Sequence, residues 1–223
     1  MLSAQIFHFI CLVLVSGQSS DPESREPTLK ALNFASMLSG KFSNAKQVKA
    51  ESAFIEEEEP RDSLIFKVTP VEVAALQPTL TFIVNEIVNG NLTRYHLLTI
   101  FEDDEGFVNL KHYIIPSNLT ASKIQNLRRD DIKQEVGCDA KYTKLTDTTF
   151  IGSWPACTQF RVNVKQRYSV TVTCSSFTMT VLPTQNLPES GNEIPYVNYK
   201  IETYPLPASV LARAGQFKPS CSN

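Results

Sequence analysis

Residues 79–115 read TLTFIVNEIVNGNLTRYHLLTIFEDDEGFVNLKHYII. Three runs rich in Val, Ile, Leu, Phe, Thr and Tyr stand out, Thr79 to Val88, Leu92 to Phe101 and Phe107 to Ile115. Asn89-Gly90 between the first two is the strongest short-range hairpin signal, because its two-residue turn needs positive φ at both positions. Glu102-Asp103-Asp104-Glu105-Gly106 makes the next reversal. The stretch is therefore an antiparallel three-stranded meander.

Further strand-like runs flank it: Ser63 to Val68, Thr148 to Gly152, Thr158 to Val164, Tyr168 to Thr173, Phe177 to Leu182 and Tyr196 to Tyr204. Between the apolar positions Tyr168, Val170, Val172 and the set Phe177, Met179, Val181 the parity changes, which one straight strand cannot do. Cys174-Ser175-Ser176 therefore reads as a tight turn or bulge. Two helical segments interrupt the pattern. Thr28 to Leu38 carries Leu29, Leu32, Met37 and Leu38 at helical spacing and stops at Gly40, read as a C-cap. Ser122 to Gln134, with Ile124, Leu127 and Ile132 among charges, reads as a short helix. Eight or nine antiparallel strands with one short N-terminal helix imply a mainly β chain, closed or nearly closed into a barrel, with a sandwich as the runner-up. An eight-stranded barrel has room for one small ligand in its mouth.

Composition agrees with one globular unit. The chain has 223 residues, 42% hydrophobic and 20% charged, with Lys+Arg 21 against Asp+Glu 23 and a net charge of -2. That is enough apolar material for a core, and the absence of a basic stripe argues against nucleic acid as a partner. Residues Leu2 to Val15 are almost wholly apolar and are followed by Ser16-Gly17-Gln18-Ser19-Ser20, the pattern of a signal peptide over residues 1–17; an uncleaved anchor is the alternative. A polar linker over 18–27 and a single domain over 28–223 follow, with no membrane association expected after cleavage. Cleavage removes Cys11 and leaves Cys138, Cys157, Cys174 and Cys221, which suit two disulfides of a secreted, extracellular protein. Of the three connectivities, Cys138 with Cys157 and Cys174 with Cys221 is favoured, since Gly137 eases the approach of the first pair and the second clamps the tail. The sequons at Asn91 and Asn118 predict surface glycosylation.

Catalytic constellations are missing. His96 and His112 are the only histidines of the mature chain, neither in a nucleophile-elbow context, and no glycine-rich phosphate loop occurs. No CxxC pair supports zinc, and the acidic runs Glu56 to Glu59 and Glu102 to Glu105 read as solvated charge better than as calcium loops. The more informative group is Arg94, Tyr95 and His96, opposite Asn85 and Glu86 and near Tyr113. Alternation puts Arg94 and His96 on one face with Leu98 and Ile100, and Tyr95 on the other with Leu97 and Phe101. Cationic donors among apolar neighbours suit the carboxylate of a flat, apolar ligand. The plainer alternative is a cross-strand pair of Arg94 with Glu86.

Leu38-Ser39-Gly40-Lys41-Phe42-Ser43-Asn44-Ala45-Lys46-Gln47 resembles the aG-x-F-S/D-N-x-x-Q opening of the CpcT/CpeT phycobiliprotein chromophore lyase family. The similarity continues through Phe82 to Glu86, the strand from Arg94 to Phe101, Phe107 to Tyr113, Gly137-Cys138-Asp139, Phe150-Ile151-Gly152, Cys157 and Tyr168 to Val181. The resemblance implies an antiparallel calycin-like (lipocalin-like) β-barrel, a homodimer as one expected state, a bilin or other tetrapyrrole as ligand, and pairing of Cys138 with Cys157. Where the family has Glu-Gln this chain has Asn85-Glu86, where it has Arg-x-Arg this chain has Arg94-Tyr95-His96, and Pro195-Tyr196-Val197 replaces a Trp-Gly element. These departures point to a binding barrel without lyase chemistry. The leading expectation is a secreted barrel that holds a small apolar or bilin-like ligand with Arg94 and His96 on its carboxylate, Glu86 beside them, and Tyr95, Phe101 and Tyr113 as walls. The alternatives are an extracellular structural or matrix protein acting through its surface, and a bilin lyase.

Overall fold

The computed structural model describes residues 21–53, 61–116, 119–158, 165–182 and 194–221, and side chains there except at 121, 155–158, 165 and 166. The expected signal segment, Glu56 to Glu59, Asn118 and the side chain of Cys157 lie outside the described residues. In chain order the elements are α1 (Leu29–Leu38), β1 (Gly40–Ser43), α2 (Ala45–Glu51), β2 (Leu64–Val71), β3 (Leu80–Val88), β4 (Asn91–Glu102) and β5 (Val108–Ile114). Then come α3 (Ala121–Gln125), β6 (Lys133–Gln134), β7 (Ala140–Thr146), β8 (Thr149–Thr158), β9 (Lys165–Thr173), β10 (Ser176–Leu182), β11 (Tyr196–Thr203) and α4 (Ala208–Arg213).

Strands with one apolar face must cover it, and here they do so by closing on themselves. The order around the sheet is β4-β3-β2-β1-β11-β10-β9-β8-β7-β5, and pairing of β5 with β4 closes an antiparallel barrel; β6 adds two residues beside β5. Closure leaves the main-chain groups of those strands paired rather than open at an edge. The meander is present as read: Asn89 and Gly90 both take positive φ at the β3–β4 turn, and the Asp103 side chain accepts the Glu105 and Phe107 amides at the β4–β5 reversal. Cys174-Ser175 is the turn between β9 and β10 that the parity change requires. The expected strand at Thr158 to Val164 falls mostly outside the described residues, because β8 is described only to Thr158 and β9 starts at Lys165. The short strands β1 and β6 and the polar-rich β7 were not foreseen.

Apart from Asn198, the inner face is mostly apolar from α1 to the middle of the barrel. Phe42, Phe66, Phe82, Tyr142, Phe150, Phe177 and Met179 are buried there in one cluster. Gly152 makes room for Tyr142: a Cβ at that position would stand 2.3 Å from the Lys141 carbonyl and 2.6 Å from the Tyr142 ring. Thr28 caps α1 by accepting the Ala31 amide, worth about 1 kcal/mol. The helix lies across one end of the barrel, its Phe34 ring 4.7 Å from that of Tyr142 and 5.0 Å from that of Phe150. Gly40 does not cap this helix. Ser39 holds the C-cap, and Gly40 opens β1 at φ 149° where a Cβ would stand 2.2 Å from the Glu202 carbonyl.

A second cluster lies outside the barrel wall. Ile83, Leu97, Tyr113 and Ile115 are covered by the 3-10 turn Ala74–Leu76 and by Ile124, Leu127 and Ile132. The expected helix over Ser122 to Gln134 is instead α3, a 3-10 turn Arg129–Asp131 and β6, so the three apolar residues are buried without one continuous helix. The polar linker is also ordered from Asp21. A 3-10 turn Pro22–Ser24 sets Glu23 against the wall, where it accepts from Thr99, Lys111 and Tyr113. The disulfide Cys174–Cys221 closes as expected, with Cα atoms 5.4 Å apart, and Cys138 is also disulfide-bonded. No helix of the described residues is long and apolar enough to cross a membrane.

Candidate functional site in the barrel lumen

On its β3–β4–β5 wall the lumen carries a polar cluster. Alternation on β3 sends Leu80, Phe82, Val84 and Glu86 inward, and on β4 Arg94, His96, Leu98 and Ile100. On β5 the inward set is Val108, Leu110 and His112. Glu86 and Arg94 are register partners, and Leu98 and His112 are partners, so three adjacent strands bring the polar groups together.

Arg94 already faces two carboxylates. Its NH1 lies 3.6 Å from Glu86 Oε1, and its NH2 donates to Glu135 from the segment after β6. Glu86 is 2% exposed, and burial lifts its carboxyl to about 7 against the lowering pull of Arg94, with Glu135 adding to the rise. The His96 and His112 rings stack with centroids 5.1 Å apart and planes 16° apart, and the Trp154 ring stands edge-on to His112 at 5.9 Å. Burial holds His112 down at about 3, with Arg94 adding to the effect, so the ring is neutral at pH 7. His96 is pushed well below its ordinary value by burial, then by His112 and Arg94. Each neutral imidazole offers one donor and one acceptor. Glu86 Oε2, Arg94 NH1, His96 Nδ1 and both ring nitrogens of His112 have no hydrogen-bond partner among the described residues.

Beside this cluster lies a cavity of about 20 Å³, lined by Glu86, His96, Trp154, Tyr142, Leu98 and Phe177 among others. That is room for about one water or one ligand head group. Glu86 and His96 line it and His112 stacks on His96, and leaving their unpaired atoms dry costs about 1–3 kcal/mol each.

Of the residues expected in the site, Arg94, His96 and Glu86 are brought together on the inner face. Tyr95, Phe101 and Tyr113 are not walls of that pocket, since one residue of register puts them on the outer face. There Tyr113 belongs to the outer cluster with Tyr95 packed on it, and Lys111 lies over the Phe101 ring. The cross-strand pair of Arg94 with Glu86 exists together with the cluster. His112, Trp154 and Glu135 were missed. The alternation Val108, Leu110, His112 carries the signal for the first; Trp154 comes from across the barrel and Glu135 from a loop, which no local period reveals. Among the described residues no group of three metal-ligating side chains converges. Asn91 is exposed at the start of β4, as a glycosylation acceptor must be.

No protein-family model matches the chain, and no curated protein or solved structure matches it significantly.

Proposed function

We propose that the chain is an exported barrel that binds a small, mostly apolar ligand through an uncharged polar head, without turning it over. The observation that carries this reading is the set of buried atoms at Glu86, His96 and His112 without a hydrogen-bond partner among the described residues, grouped in a lumen whose other inward side chains, apart from Asn198, are mostly apolar. Groups so placed are satisfied by something that brings both a donor and an acceptor. A hydroxyl or carbonyl head suits them better than the carboxylate expected from the sequence. Arg94 already faces the carboxylates of Glu86 and Glu135 and keeps only its NH1 donor unpaired, and both histidines are held neutral, so a ligand carboxylate would add net negative charge to the cluster, whereas a hydroxyl or carbonyl oxygen accepts from that donor without doing so. The same argument weighs against a bilin with its propionates. Kinship with the CpcT/CpeT family stays part of the proposal as kinship of barrel, and export as the setting in which the disulfides form.

One observation favours a second reading, an extracellular scaffold working through its surface. The cavity is about the size of one water, and an ordered water bridging Glu86 and His96 would satisfy much of the cluster with no ligand at all. The test uses Trp154, the only tryptophan of the chain and part of the cavity lining. Decanol and decanoate are titrated into the oxidised protein while Trp154 emission is followed. The binding reading expects a saturable change with decanol at least tenfold tighter than with decanoate, and weakened at least tenfold in His96→Phe. No saturable change with decanol, or equal affinity for the two, rejects it in favour of the scaffold.

A further inference from the structure

We propose that a second groove, at the α1 end of the barrel and independent of the lumen, binds an amphiphilic organic anion: an apolar body carrying one carboxylate, sulfate or phosphate. The groove has a volume of about 340 Å³, within the range of pockets that hold small organic ligands. Its walls are the N-terminal half of α1, the end of β7 and the C-terminal tail. Leu29 and Phe217 supply apolar surface, and Lys30, Lys144 and Lys218 supply charge, with Gln216 between; no acidic side chain is among the described lining residues. Leu29 is 65% exposed, an unusual position for a leucine on a helix that otherwise buries its apolar residues.

The groove is braced rather than incidental. Asn33, only 5% exposed, donates from Nδ2 to the Asp147 carbonyl at 2.7 Å and accepts the Ser220 amide on Oδ1 at 3.1 Å. One buried side chain thus ties the β7–β8 turn and the tail to the helix. The Cys174–Cys221 disulfide anchors the end of the same tail, and Phe217 and Cys221 pack on the barrel core. The three cations differ in readiness. Lys30 is held by Glu102 and the Gly106 carbonyl, and Lys144 pairs with Asp147, whose side chain is 80% exposed. Lys218 has no ion-pair partner among the described residues. An anion between Lys144 and Lys218 meets one free charge and one whose solvent-exposed pairing contributes little and is readily exchanged. Its apolar body then covers Leu29 and Phe217, which an inorganic anion could not do.

The probes are decyl sulfate and decanoate, with decanol as the uncharged control and inorganic sulfate as the control without an apolar body. Binding to the oxidised mature protein is read by calorimetry and by NMR of 13C-methylated lysines. The proposal expects decyl sulfate and decanoate to bind one to one, to move the Lys144 and Lys218 signals, and to bind at least tenfold tighter than sulfate. Decanol leaves these lysine signals in place, which separates this site from the lumen. The double variant Lys144→Glu, Lys218→Glu should lose at least tenfold in affinity and Leu29→Ser about threefold, while Lys123→Glu, the same change of charge on a remote exposed residue, has no effect. Cys174→Ser with Cys221→Ser should weaken binding by releasing the tail. Unchanged affinity in the double lysine variant, or lysine signals that decanol moves equally, overturns the proposal whatever the lumen binds.

Discussion

Substituting His112 by Leu tests the electrostatics of the lumen. His112 is 3% exposed, with neither ring nitrogen bonded among the described residues, and its pKa falls to about 3 from an ordinary 6.5. Between these values the unfolded chain binds a proton that the native protein refuses, so native stability falls as the pH drops from 6.5 toward 3. At pH 4.5 the difference accumulated over two pH units is about 3 kcal/mol, at 1.36 kcal/mol per unit. His112→Leu keeps a side chain of similar bulk in the Trp154 contact and removes the titrating group, so this part of the acid lability disappears. His96 lies stacked on His112 and is lowered in part by it, so the variant also relieves His96 slightly and enlarges the effect. The assay is urea unfolding followed by Trp154 emission at pH 8 and pH 4.5. The wild type should lose about 3 kcal/mol more than His112→Leu between the two pH values. Equal losses in the two proteins would refute a buried neutral imidazole at position 112.

Glu86→Gln should act in the opposite sense. A carboxyl raised to about 7 in the native protein contributes stability that is complete below pH 4.5 and lost as the pH rises through 7, so by pH 8 the variant should exceed wild type by on the order of 3 kcal/mol in urea unfolding. Glu23→Ala should free the N-terminal segment by removing the acceptor of Thr99, Lys111 and Tyr113, with a cost of about 2–3 kcal/mol and faster tryptic cleavage after Arg25.

The period of two carried most of the fold. Turn residues Asn89-Gly90 and the parity change at Cys174 located reversals correctly because each is a local steric demand. It carried the inner half of the site as well, since Arg94, His96, Leu98 and Ile100 share a face whatever the barrel does. What escaped is long-range. Glu23 looked like part of a linker, yet three partners from β4 and β5 bury it. β7 is short of apolar residues because only Ala140 and Tyr142 turn inward, so its alternation is faint. Gly40 looked like a helix stop, and its true reason, the closeness of the Glu202 carbonyl across β1 and β11, depends on a strand more than 160 residues away. The charge balance around Arg94 escaped for the same kind of reason, because Glu135, the second carboxylate on Arg94, comes from a loop with no pattern of its own.

The most direct test of the lumen as a binding site is a high-resolution crystal structure of the oxidised protein grown with decanol. The account predicts the decanol hydroxyl in the cavity, within hydrogen-bond distance of His96 Nδ1 or Glu86 Oε2, with lining side chains such as Trp154 moved aside to admit the alkyl chain. A lumen holding only an ordered water between these groups, at saturating decanol, would contradict it.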